Sequence, residues 1–176
     1  MAHPVLKALN DRLTADKIPA RLLEEDDVLT VLLAPPVLEG EIFGDIFFVT
    51  YGGDPADNGL LMLEWEIADL SGFTDESQAN LCVGLSLMNT ILPAGGYAVR
   101  AEESEEADAD PSVPAHTTLL YRMTLPVGLI EDEDWLEKEA YEAVNTSAAV
   151  LKSTASPLLD FAQGKMEREA FLRIVT

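Results

Sequence analysis

Two histidines, His3 and His116, are the residues from which a general base of the usual kind would have to be drawn. His3 stands at the start of the chain and His116 at the head of a predicted strand, and each reads as an ordinary surface residue. The one cysteine, Cys82, would need an exposed, electropositive setting to act as a nucleophile. Its sequence neighbours are apolar and none is basic, so it reads as structural. The chain has no Gly-x-Ser-x-Gly elbow, no Gly-Lys-Ser phosphate loop and no dinucleotide glycine fingerprint. Gly52-Gly53 is followed by Asp54, which would repel a phosphate. Asp54 to Gly59 offers oxygen ligands without the spacing of a calcium loop. The run Glu102 to Asp110 would attract divalent cations only diffusely, and Glu131 to Asp134 is accounted for by helix capping. The expectation is a chain with no catalytic set, no cofactor and no metal site. A metal-dependent hydrolase built on scattered carboxylates is the alternative.

The charge balance points the same way. Thirty-two acids stand against 11 Lys and Arg, a formal charge of −21. Nucleic acid and anionic membrane surfaces are excluded as natural partners, and a basic or neutral protein suits this field better. A lone cysteine allows no disulfide within the chain and suits a reducing, cytoplasmic setting. The N-terminal stretch is amphipathic, carries Asp11 and lacks a continuous apolar run, so neither a signal peptide nor a membrane insertion is expected. No Lys or Arg occurs between Leu22 and Val99. The basic residues gather at the ends: Lys7, Arg12, Lys17 and Arg21, then Lys165, Arg168 and Arg173. The central acids are therefore either solvated or neutralised by basic terminal helices, from the same chain or from a dimer mate.

The elements that would position any site follow from periodicity. Pro4 to Ile18 reads as a first helix with the stripe Val5, Leu6, Leu9 and Leu13. Arg21 to Asp27 reads as a charged connector, and Val28 to Leu33 as a first strand. Glu41 to Tyr51 is a second strand. Leu60 to Asp69 is a third, with Leu61, Leu63, Trp65 and Ile67 alternating against Met62, Glu64, Glu66 and Ala68. That alternation predicts an antiparallel sheet with one wet face. Thr74 to Leu92 is a helix, uncharged after Glu76, whose apolar arc is too wide for one sheet contact. It predicts cover on two sides. Gly96 to Ala101 begins a fourth strand, and residues 102–115 read as an acidic, mobile hairpin loop. His116 to Val127 is the fifth strand. A long acid-capped helix follows, in which Pro157 is expected to kink it or start a new one and Gly164 to end it. Residues 165–176 form a C-terminal tail. The order is α-β-β-β-α-β-β-α, an α+β fold with an antiparallel five-stranded sheet in one domain, 1–176.

The second strand is apolar on both faces. Ile42, Ile46 and Phe48 lie on one side; Phe43, Phe47, Val49 and Tyr51 lie on the other. The second set would leave an exposed patch, and such patches mark interaction sites. Phe43, Phe47, Val49 and Tyr51 are therefore the candidate partner-binding residues. The chain's own first or last helix, a dimer mate or another protein's segment could cover them.

One stretch carries a resemblance. Leu85-Ser86-Leu87-Met88-Asn89 leads through Pro93-Ala94-Gly95-Gly96 into a strand; a second strand closes on Leu125-Pro126 and feeds the acid-rich helix beginning Glu131-Asp132-Glu133-Asp134-Trp135. This order resembles the type III secretion chaperone-like fold, which includes the YbjN-type bacterial regulators, over about Ala79 to Leu159. The acidic insert and the tail depart from it. The resemblance implies a non-enzymatic, often dimeric protein that holds a segment of another protein against its sheet and helices. It supplies no catalytic residues. The expected function is thus a chaperone-like or regulatory protein-binding module, a cytoplasmic homodimer with an unidentified protein partner. The further alternative is a structural adaptor with one fixed partner.

Overall fold

The structure, a computed structural model, describes residues 3–33, 42–50, 59–102, 116–127 and 132–176. In chain order the elements are α1 (Pro4–Ala15), β1 (Ala20–Leu23), β2 (Val28–Leu33), β3 (Ile42–Thr50) and β4 (Gly59–Asp69). Then come α2 (Asp75–Ile91), β5 (Gly96–Glu102), β6 (His116–Pro126), α3 (Glu133–Ala162) and α4 (Arg168–Leu172). Six strands form one open sheet in the order β1-β2-β3-β4-β6-β5, antiparallel throughout. The fold is α+β.

The sheet has one strand more than the five expected. Ala20–Leu23, most of it assigned to a connector by its charges, pairs with β2 in the register Ala20↔Val31 to Leu23↔Val28. Four residues are too few to show a period, and Arg21 hides the pattern by pointing outward while Ala20 and Leu22 pack towards the core. The β1–β2 turn closes with Asp27 at φ 55°, a left-handed conformation that aspartate tolerates. The Asp27 carboxylate accepts the His3 backbone N–H at 2.7 Å, tying the start of α1 to the turn. α1 itself stops at Ala15, short of Ile18, because Lys17 takes φ 61°.

The three long helices of the described residues lie on one face of the sheet. α3 crosses β4 and β6; α1 lies beside it on β1 and β2; α2 lies on its other flank, against β5. Between the layers sit Leu61, Leu63 and Trp65 of β4 and Leu119 and Tyr121 of β6, fully buried with Leu6, Leu9 and Leu13 of α1. Each such leucine contributes about 1.5–3 kcal/mol of burial free energy. Gly95 turns the chain from α2 into β5 at φ 67°, and a Cβ there would lie 2.6 Å from the Arg122 carbonyl oxygen.

α3 runs through Pro157 as one helix, so the proline does not start a new one. Leu151, Thr154, Ala155 and Leu158 are buried on both sides of the proline. Their packing outweighs the roughly 3 kcal/mol that an interior proline costs an isolated helix. Gly164, at φ 70°, follows the helix end. The tail is part of the core: Phe171 of α4 is fully buried and stacks on Phe161, ring centroids 4.3 Å apart at 9°. Arg12 pairs within the helical layer, and not with the acids between Leu22 and Val99 that the basic ends were expected to meet. It meets Glu137 of α3 at 3.1 Å and lies over the Tyr141 ring at 3.8 Å.

α2 is covered less than its wide apolar arc predicts. Leu81, Gly84 and Met88 are buried, whereas Val83 and Ile91 stand 44% and 42% exposed. No helix among the described residues is long and apolar enough to cross a membrane.

Candidate binding face of the sheet

With the helices on one side, the other face of the sheet carries no helix among the described residues. Pleating sends Ile42, Gly44 and Ile46 of β3 into the core, where all three are buried. Phe43, Phe47 and Val49 point the opposite way. Phe43 is 53% exposed, the most exposed large hydrophobic residue of the described chain, and Phe47 and Val49 are half-buried. Tyr51 lies outside the described residues. Cross-strand neighbours extend the apolar zone: Leu32 opposite Phe43, Val28 beside Phe47 with the buried Met62 on its other side, and Leu60 opposite Val49. Leu23, Leu32 and Phe43 wall a shallow depression of about 320 Å³, with Pro19, Arg21 and Thr30 at its margin. Asp45 interrupts the zone and accepts the Thr30 hydroxyl at 2.7 Å.

Beside this zone lies an ionic cluster that strand-by-strand reading missed. Glu64 on β4 is 92% removed from solvent, at 8% exposure. Arg122 on β6, directly opposite, donates to it through Nε at 2.8 Å and through Nη2. Arg100 on β5 donates to Glu64 through Nη1 and to Glu66 through Nη2. Two arginines and two glutamates thus hold β4, β6 and β5 in register. A carboxylate so nearly buried is tolerated only because both oxygens are hydrogen-bonded to cations. The available signal was the placement of Glu64, Glu66 and Arg122 on the wet faces of two alternating strands. Only the register, broken by a bulge between Glu66 and Ala68, makes them partners.

The residues with catalytic potential do not assemble. His3 serves the start of α1: its Nδ1 accepts the Val5 N–H at 3.3 Å and its ring lies 4.1 Å from that of Phe48. His116 Nδ1 lies 3.7 Å from Asp69 Oδ1, both side chains 54% exposed. The Ser71 N–H donates to the same carboxylate at 2.8 Å. Ser71 and His116 thus both approach the Asp69 carboxylate, and the serine hydrogen-bonds the carboxylate, not the imidazole base that a Ser-His-Asp set needs beside it. The Ser71 N–H and hydroxyl hold the Asp69 carboxyl below the usual carboxylate range, with His116 a smaller influence. Cys82 is exposed on α2. Among the described residues no three His, Cys, Asp or Glu side chains come together as a metal-holding group. Asp132 caps α3, accepting the Trp135 N–H at 3.0 Å, and Glu133 and Asp134 occupy its first turn, as the sequence implied. Asp54 to Asn58 and residues 103–115 lie outside the described residues.

On the helical side two tyrosines close the layer. Tyr97 OH and Thr154 Oγ1 are 2.7 Å apart, and Tyr121 OH donates to the Ala94 carbonyl at 2.6 Å. Burial pushes the Tyr121 phenol up to about 12 and also raises that of Tyr97. A raised folded-state value means that the neutral phenol stabilises the fold. That stability is whole below the unfolded value of about 10 and is lost as pH climbs through the folded value. In an absorbance titration at 295 nm, these two of the four tyrosines are expected to ionise only together with loss of near-ultraviolet circular dichroism. Ionisation of all four near pH 10 in a chain that stays folded would contradict their burial.

No family model, curated protein or solved structure matches this chain. Fold and face together define an α+β protein with an open, six-stranded antiparallel sheet whose helices, among the described residues, lie on one side.

Proposed function

We propose that this chain is a non-enzymatic protein-binding module, chaperone-like or regulatory, that works in the cytoplasm by holding a segment of another protein on the open face of its sheet. The observation that carries this reading is Phe43, more than half exposed beside Leu32 at one end of β3, with Phe47 and Val49 on the same face beyond Asp45. Phe43 together with Leu32, Leu23 and the half-buried Phe47 and Val49 on the same face supports a surface that another molecule covers. The formal charge of −21 selects a basic or neutral partner. One helical layer on an antiparallel sheet is in keeping with the secretion chaperone-like resemblance. The exposed Val83 and Ile91 on α2 supply an apolar stripe for pairing two copies of the chain.

Light scattering of the purified chain, and isolation of its complex from the native cell, test the reading together. The expected result is a stoichiometric partner retained by the wild type and weakened about tenfold or more by Phe43→Ser, as for an interface anchor. Because Phe43 is exposed, the same substitution should change folding stability by less than about 1 kcal/mol. A monomer that retains no partner, or a partner indifferent to Phe43 and Phe47, would contradict the reading.

A further inference from the structure

An open sheet has two edges, and here they differ chemically. The β5 edge is closed at Tyr97: Asn89 of α2 donates Nδ2–H to the Tyr97 carbonyl at 2.9 Å and accepts the Tyr97 N–H on Oδ1 at 2.8 Å. A side-chain amide thus occupies the place of a neighbouring strand, the usual protection of an exposed edge. Among the described residues the β1 edge has no such cover. Leu32 N–H donates to the Pro19 carbonyl at 2.9 Å, which makes Pro19 and Leu32 a hydrogen-bonded pair. Antiparallel alternation then turns Arg21 and Leu23 towards β2, and it turns the N–H and C=O of Ala20 and Leu22 outward. Among the described residues, no hydrogen bond from another element reaches those groups.

Two depressions flank this edge. On the helical side, Lys7, Asn10 and Asp11 of α1 face Ala20 and Leu22 across about 400 Å³. On the other side lies the depression of about 320 Å³ walled by Leu23, Leu32 and Phe43. A strand laid along β1 would send alternate side chains to opposite faces, one set over the apolar wall and the next over the polar helix. At the end of β1 the turn Glu24-Glu25-Asp26 is exposed and wholly acidic.

We infer that β1 is the strand-accepting edge of this sheet, and that its occupant is an extended segment of another protein, apolar at alternate positions, polar between them and flanked by Lys or Arg. The inference rests on the protein-binding reading above and specifies where the segment lies and what it looks like. A second copy of the chain is a poorer occupant. It brings a charge of −21 of its own, whereas a segment flanked by Lys or Arg complements the acidic turn.

Fluorescence anisotropy tests the inference with a labelled decapeptide of six alternating valines and threonines and two lysines at each end. Saturable binding is expected, and glutamates in place of the lysines should abolish it. N-methylating one alternate set of backbone amides should weaken binding about tenfold, and methylating the other set less than about twofold, because only one set faces β1. Ala20→Pro removes an outward donor while leaving the β1–β2 ladder, and should weaken binding several-fold in a chain whose circular dichroism is unchanged. The methylation asymmetry is read on the wild type and so stands even if that variant unfolds. Equal responses to the two methylated sets would overturn the inference, and if Phe43→Ser still abolished binding, the binding face would survive without the edge. No saturable binding up to about 1 mM would overturn the inference, and loss of any Phe43-dependent partner as well would remove the reading beneath it. A dimer of the chain alone that Ala20→Pro dissociates would make the occupant a second copy, and would also overturn it.

Discussion

Gly44→Ala is expected to lower the folding free energy by about 3 kcal/mol, read as a shift of the urea midpoint with little change in slope. Gly44 lies in β3 opposite Trp65, and its inner face is where the indole rests. A Cβ built at Gly44 would fall 2.0 Å from Trp65 Cε3, with Cδ2 and Cζ3 at 2.5 Å. Trp65 is fully buried among inner residues of the sheet and the helices above it, so the ring has nowhere to withdraw. The added methyl must bend β3 or drive the indole off its rotamer, and the cost is that of overpacking. Gly72→Ala is the matched control. Nothing lies within 4 Å of a Cβ there, and a change under about 0.5 kcal/mol is expected. Equal, small effects at both positions would mean that Trp65 does not pack on Gly44. The same contact prepares the binding face, because the strand that carries the indole-bearing layer on one side carries Phe43 and Phe47 on the other.

Phe171→Ala is expected to cost about 3–5 kcal/mol, the largest single-residue effect in the C-terminal tail. Phe171 is 0% exposed, and its ring stacks on Phe161 of α3. Leu158 and Phe161 in turn fill the space beside Gly84 of α2, where an added Cβ would lie 2.7 Å from Leu158 Cδ1. The tail therefore supports the α2–α3 contact through one aromatic pair. Ile174→Ala, at a 41% exposed neighbour, should change stability by less than about 1 kcal/mol. If Phe171→Ala were equally mild, the tail would be an appendage and not part of the core.

Much of this architecture is legible in the residues. The inward set Leu61, Leu63 and Trp65 is buried, as the alternation of β4 implies. The wet face it predicted is not fully wet, since Met62 and Glu64 are buried as well while Glu66 is exposed. The spacing of Leu136, Ala140, Ala143 and Ser147 runs along the buried side of α3. The capping residues Thr74 and Asp132 mark the starts of α2 and α3. The features that escaped depend on contacts between distant segments. Ala20–Leu23 is too short to carry a period and becomes a strand only because β2 lies beside it. Glu64 and Arg122 become partners through the β4–β6 register, which neither strand encodes alone. Pro157 argues locally for a break, yet with burial on both sides α3 continues through it. For the candidate face, alternation alone separates Phe43, Phe47 and Val49 from Ile42 and Ile46. Which set meets water is decided by where α1 and α3 pack, and both sets are equally apolar in sequence.

A photocrosslinking amino acid placed at position 43 in the native cell probes the open face most directly, with position 72 as the exposed control. The proposed function predicts a crosslink from position 43 to one other polypeptide, in a single band of defined mass, and none from position 72. No adduct at position 43, or the same diffuse adducts at both positions, would mean that the exposed phenylalanine faces only water and that the face binds no protein.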